Sequence, residues 1–166
     1  MTRPHLTRRR VLTLAAFAVV IAALVTSSVV LFQRTRQAEA AESARAGAQE
    51  ASKTLVPQVL SYSYQTLQAD IATATGAAAG NFQQNLRALM TQVVQPTATS
   101  ENVVTKAAVT HTAVVEAREG DVVLLVLISQ ESTSRNQAAP VVSASSARVQ
   151  LHREGDRWLI ADLQPL

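Results

Sequence analysis

The sequence predicts an α+β fold: a membrane helix and a helical stalk, then helices packed on a curved four-stranded antiparallel sheet. Three observations carry this expectation. Residues 11–32 contain no charge, glycine or proline. Apolar spacing is helical from Val59 to about Val93 and changes to a period of two from Val103 onward. The tetrapeptide Arg-Glu-Gly-Asp occurs twice, at Arg118–Asp121 and Arg153–Asp156, each time between strand-like runs.

Charge placement excludes a class of function. The 166 residues carry 15 Lys and Arg against 12 Asp and Glu, a net charge of +3. Arg3, Arg8, Arg9 and Arg10 lie in residues 1–10, where no acid offsets them. From residue 33 onward the charges nearly cancel and no cationic cluster occurs, so a nucleic-acid partner is not expected. Cysteine is absent, which removes disulfides and thiolate chemistry.

At a rise of about 1.5 Å per residue, residues 11–32 reach about 33 Å as a helix, enough to cross a bilayer core. A cleaved export signal is the competing reading. Arg8-Arg9-Arg10 resembles a twin-arginine signal and Ala38-Glu39-Ala40 resembles a small-residue cleavage site. The apolar run is longer than a signal core of roughly 7–15 residues, which favours a retained anchor. The arginine-rich flank places the N-terminus in the cytoplasm and residues 33–166 outside a single-pass plasma-membrane protein. Ala18, Ala22 and Thr26 form a small-residue stripe suited to a partner helix.

Residues 33–54 are rich in Ala, Gln, Glu and Arg and are expected to extend the membrane helix as a stalk. Ala41, Ala44, Ala48, Ala51 and Leu55 make a short heptad-like seam, with Ala44 and Ala48 facing a helix of another protein. Pro57 is expected to end or kink the stalk. The folded body then runs from 55 to 166. Leu60, Tyr64, Leu67, Ile71 and Ala74 define one helix face. Phe82, Leu86, Leu89 and Val93 define a second, capped by Asn81 and ended at Gln95-Pro96.

Four strands follow. In residues 103–117 the odd positions, His111 among them, form the apolar face. Residues 122–128 are apolar on both faces, as in a central strand or an interface. Residues 141–151 alternate, with Val141, Val149 and Leu151 on one side, and 157–163 close the sheet. The two Arg-Glu-Gly-Asp segments suit tight hairpins, while the connection around Ser134–Pro140 reads as longer and irregular.

Several segments carry a resemblance. Leu60-Ser61-Tyr62-Ser63-Tyr64 is followed by Thr66-Leu67 and Ala69-Asp70, then Gly80-x-Phe82, Val93-Val94 near Pro96, and Gly155-Asp156-Arg157-Trp158-Leu159-Ile160 leading to Asp162 and Leu163. In order and spacing the chain resembles the Mce-associated membrane proteins of actinobacteria. The resemblance implies an extracytoplasmic domain similar to the nuclear-transport-factor-2 (NTF2) cone. It also implies a non-catalytic accessory role beside Mce transporter subunits in lipid import. The chain departs from the family pattern at Ser63, where an acid is expected, and at Gln95-Pro96, where two prolines are common.

The same cone carries isomerases and dehydratases, so catalytic groups need weighing. The candidates are Tyr64, Asp70, His111 and Asp162. Tyr64 reads as a core tyrosine, and Tyr62 lies about 160° away around a helix. Asp70 borders the core stripe and reads as a residue that bonds a neighbouring strand or loop. His111 is the one polar ring on an apolar strand face. Trp158 reads as a core filler. No catalytic, cofactor or metal residues are assigned, since no metal-ligand spacing or phosphate loop occurs. The exposed face of residues 122–128 is the expected contact surface. An NTF2-like enzyme and an assembly factor of a type IV secretion-like channel are the alternatives.

Overall fold

Helix α1 occupies residues 39–60 of the structure, a computed structural model that describes residues 39–166. The expected cytoplasmic tail 1–10, the membrane helix 11–32 with its Ala18–Ala22 stripe, and stalk residues 33–38 lie outside the described residues. From Ala40 onward the chain folds as one unit. Ala44, Ala48, Ser52, Val56 and Val59 line the buried side of α1 and, apart from Ser52, belong to the hydrophobic core. Ala44 and Ala48 therefore do not face another protein's helix. Small side chains at three- and four-residue spacing let α1 lie close against its own domain. Ser52 is buried without penalty because its hydroxyl donates to the Gln49 carbonyl at 2.7 Å.

Pro57 does not end α1, which runs on to residue 60. The helix stops at Ser61, whose amide bonds back to the Pro57 carbonyl at 2.9 Å. The chain then extends for two residues, β1 at Tyr62–Ser63, turns, and re-enters helix as α2 at Leu67–Gly76. The single helix expected across Leu60, Tyr64 and Leu67 is thus two helices with a strand between them. Asp70 explains the break. Its Oδ2 accepts the Ser63 amide at 2.9 Å and the Thr66 hydroxyl at 2.8 Å, holding the turn against the first turn of α2.

Helix α3, Gly80–Leu89, passes into a π turn at Met90–Val94 and then α4, Gln95–Glu101. Pro96 sits in the first turn of α4 rather than ending a helix. A proline ring strikes the carbonyl four residues earlier, and a widened turn just before it relieves that clash. The buried side here advances in steps of four residues. Leu86, Met90 and Ala98 point inward, whereas Leu89 and Val93, expected in the core, are exposed.

The sheet has five strands in the order β1-β2-β3-β4-β5, all antiparallel, with β2 at Val104–Arg118, β3 at Asp121–Ser134, β4 at Gln137–Glu154 and β5 at Arg157–Pro165. The expected curved four-stranded sheet is instead a five-stranded open meander with β1 added at its edge. The two Arg-Glu-Gly-Asp segments form two-residue hairpins in different registers. Arg118 pairs with Asp121, leaving Glu119-Gly120 as the loop. Glu154 pairs with Arg157, leaving Gly155-Asp156. Positive φ at Gly120 (88°) and Gly155 (60°) therefore falls on the second loop residue in one and the first in the other. The middle connection is equally tight: Ser134 pairs with Gln137 around Arg135-Asn136. Glu101 holds that turn, accepting the Arg135 amide at 2.6 Å and the Asn136 side-chain amide at 3.1 Å.

Val122, Leu124, Val126 and Ile128 of β3 form the floor of the core, beside Ala147, Val149 and Leu151 of β4 and Ile160 of β5. The connector between α2 and α3 docks on β5 as a short parallel bridge. Ala79 donates to the Ile160 carbonyl and the Ile160 amide donates to Ala77, both at 2.9 Å. Helices and connector thus cover one face of the sheet.

Candidate interaction face

Strand β3 alternates strictly. Val122, Leu124 and Val126 are fully buried, while Leu125 and Leu127 are 36% and 44% exposed on the opposite face. Among the described residues helices pack on one side of the strand only, and successive side chains point to opposite faces, which gives this division. The register extends the outward row across the sheet. Leu127 lies beside His111 and Ser146, and Leu125 beside Ala113 and Arg148.

Two bulges in β2 decide what joins this face. The pairing skips a residue between Val109 and His111 and again between Val114 and Glu116, so Thr110 and Val115 are extra residues. Each bulge shifts the alternation by one position. Thr105, Ala107 and Val109 face the core, and after Thr110 the inward positions become Thr112 and Val114. His111, expected on the apolar inner face, is exposed on the outer one. Thr110 anchors the first bulge by donating its hydroxyl to the Leu127 carbonyl at 3.1 Å. Val115, also expected inward, is 63% exposed.

The face is apolar at its centre, with Val115, Leu125 and Leu127 among small side chains. Charge crosses it too: Arg148 stands beside Leu125, Lys106 is opposite Glu131 toward one end, and at the other His152 Nδ1 is 2.8 Å from Asp121 Oδ1. Such a surface suits a contact that joins an apolar patch to charged neighbours.

The other candidate groups do not converge. Tyr64 lies in the turn after β1, where its hydroxyl accepts a hydrogen bond from the Gln65 side chain at 3.1 Å. It is Tyr62, not Tyr64, that packs against the core. Tyr62 and Asp70 share a shallow cleft of about 200 Å³, and Tyr64 lines a different one. Asp162 is on β5 and accepts from the Gln164 side-chain amide at 2.7 Å. His111, on β2, is three strands away, about 14 Å at normal strand spacing. Among the described residues, no three His, Cys, Asp or Glu gather to hold a metal ion, and no helix is long and apolar enough to cross a membrane.

No family model matches the chain. The Mycobacterium tuberculosis protein named outer membrane protein Rv1973 is 32% identical over 123 residues, covering 74% of this chain and 76% of that protein. The chain belongs to the Rv1973 family. A further relative, uncharacterized protein Rv1362c of the same species, is 36% identical over 108 residues, 65% of this chain and 49% of that protein. The chain thus spans about half the length of Rv1362c. Two solved structures share the fold of this Rv1973 relative. An IcmL-like type IV secretion system protein from Legionella pneumophila has a TM-score of 0.61 at 8% identity, covering 74% of this chain and 91% of that one. CagV of Helicobacter pylori, a VirB8 homologue, has a TM-score of 0.59 at 12% identity, covering 72% and 96%.

These findings correct the resemblance to Mce-associated membrane proteins. The relatives carry no such assignment, and the two solved folds named above are type IV secretion proteins. The reason lies in the motifs. Each motif is short and serves a local turn or helix start that many chains need, so their order does not by itself mark a lineage.

Proposed function

We propose that residues 40–166 form a non-catalytic interaction domain of the cell envelope, serving as a scaffold or assembly component of a type IV secretion-like channel. The observation that carries this reading is the outer face of the sheet. It presents Val115, Leu125 and Leu127 to solvent while the helices occupy the opposite side. The fold shared with CagV and the IcmL-like protein supports the same reading, as does the scatter of Tyr64, Asp70, His111 and Asp162 over separate surfaces. The uncharged run 11–32 and its arginine flank would hold the domain outside the cytoplasmic membrane.

The test is site-specific photo-crosslinking of the full chain in native membranes. A crosslinker at Leu127 is expected to capture a discrete envelope protein, and Leu125→Lys to abolish the adduct without unfolding the domain. Equal capture from Gln84, exposed on α3, would defeat the assignment of the face. Protection of the domain from protease added to intact spheroplasts would defeat its location.

A further inference from the structure

A further cleft lies away from the outer sheet face. The C-terminal half of α1, the end of α2 and the β4–β5 hairpin line an open cleft of about 430 Å³. We propose that this cleft binds a small amphiphilic carboxylate, with Arg157 holding the carboxylate and the apolar part lying on Leu55, Ala77 and Trp158.

Ala77 is buried in the core, and Leu55 and Trp158 pack partly against it, so the floor is apolar and supported from below. Gly76 ends α2 at this wall, and a Cβ placed on it would meet nothing within 4 Å, so the absent side chain leaves the cleft open. Trp158 is positioned from α1: a Cβ on Gly47 would lie 3.1 Å from its Nε1.

Charge decides the ligand class. Two ionisable groups line the cleft, Asp156 and Arg157. The Asp156 carboxylate is fully exposed and 3.6 Å from the Arg153 guanidinium, which matches its charge. Among the described residues Arg157 makes no ion pair. A free guanidinium beside an apolar floor is complementary to one carboxylate on a short apolar body, because the planar fork takes both oxygens. The volume falls within the range of about 300–1,000 Å³ usual for small-ligand sites.

The full chain, held in amphipol, is titrated with octanoate and with 3-phenylpropionate, both below any micellar concentration. Trp158 is the only tryptophan and reports directly. A saturable change in its emission is expected with at least one acid. Octanoate alone would identify an acyl ligand, 3-phenylpropionate alone an aromatic one, and both the shared chemistry. Octanamide should bind at least tenfold more weakly than octanoate. Arg157→Gln, a change at an exposed position that retains the fold, should remove the preference for acid over amide. Gly76→Leu should fill the cleft and abolish the response. No saturable signal with either acid, or an unchanged preference in Arg157→Gln, would overturn the proposal.

Discussion

Gly47 of α1 stands under the indole of Trp158, so close that a β-carbon there would approach Nε1 to 3.1 Å. A glycine inside a helix costs about 1 kcal/mol relative to alanine, so its presence here is offset by contact with β5. Gly47→Val adds branched carbons where the ring lies. The variant is expected to lose about 1–2 kcal/mol through overpacking. Tryptophan emission should shift to the red as the ring moves into water, and urea unfolding would measure the loss.

Asp70 joins three elements through one oxygen, accepting from Ser63 of β1 and Thr66 of the turn while standing on α2. Asp70→Ala leaves the Ser63 amide without its acceptor. The expected cost is about 1–3 kcal/mol. Thr66→Val removes only one of the two bonds and should cost less. Equal losses in the two variants would show that Asp70 does not organise the turn.

Leu124 and Leu125 are chemically identical neighbours on opposite faces of β3, one fully buried and one 36% exposed. Leu124→Ala is expected to cost about 2–5 kcal/mol because it opens a cavity. Leu125→Ala should cost well under half as much and should instead weaken capture of a partner by the outer face. Chemical denaturation of both variants checks the division.

His111 projects from the outer face immediately after the Thr110 bulge. His111→Ala is expected to change stability by no more than about 0.5 kcal/mol, as for other exposed positions. Thr110→Val removes the hydroxyl bonded to the Leu127 carbonyl and should cost about 0.5–1.5 kcal/mol. A larger loss from His111→Ala than from Thr110→Val would place the histidine inside.

The elements read from the sequence were those whose side chains obey one period throughout. Strand β3 has no bulge over Val122–Ile128, and its central position and two-faced apolar character follow from its letters alone. Strand β2 looks equally regular, but its two bulges reverse the inward side at His111 and leave Val115 outside. Nothing local marks Thr110 as an extra residue, since a bulge is set by the partner strand. Helix α3 failed similarly. Leu89 and Val93 match an ideal apolar face, but the π turn rotates Met90 and Ala98 inward instead. The Arg157 cleft was also illegible, because its walls come from segments about a hundred residues apart.

By itself the sequence determined the class of the described domain: helices first, an antiparallel meander after, with glycines at both Arg-Glu-Gly-Asp turns. Periodicity and turn chemistry are local properties, and they suffice for that. Only the tertiary structure decided which side of each element faces inward, that Ala44 and Ala48 pack in their own core, and that Leu125, Leu127 and Val115 are exposed. Those outcomes depend on register and packing between distant segments, and a one-residue slip in either reverses them.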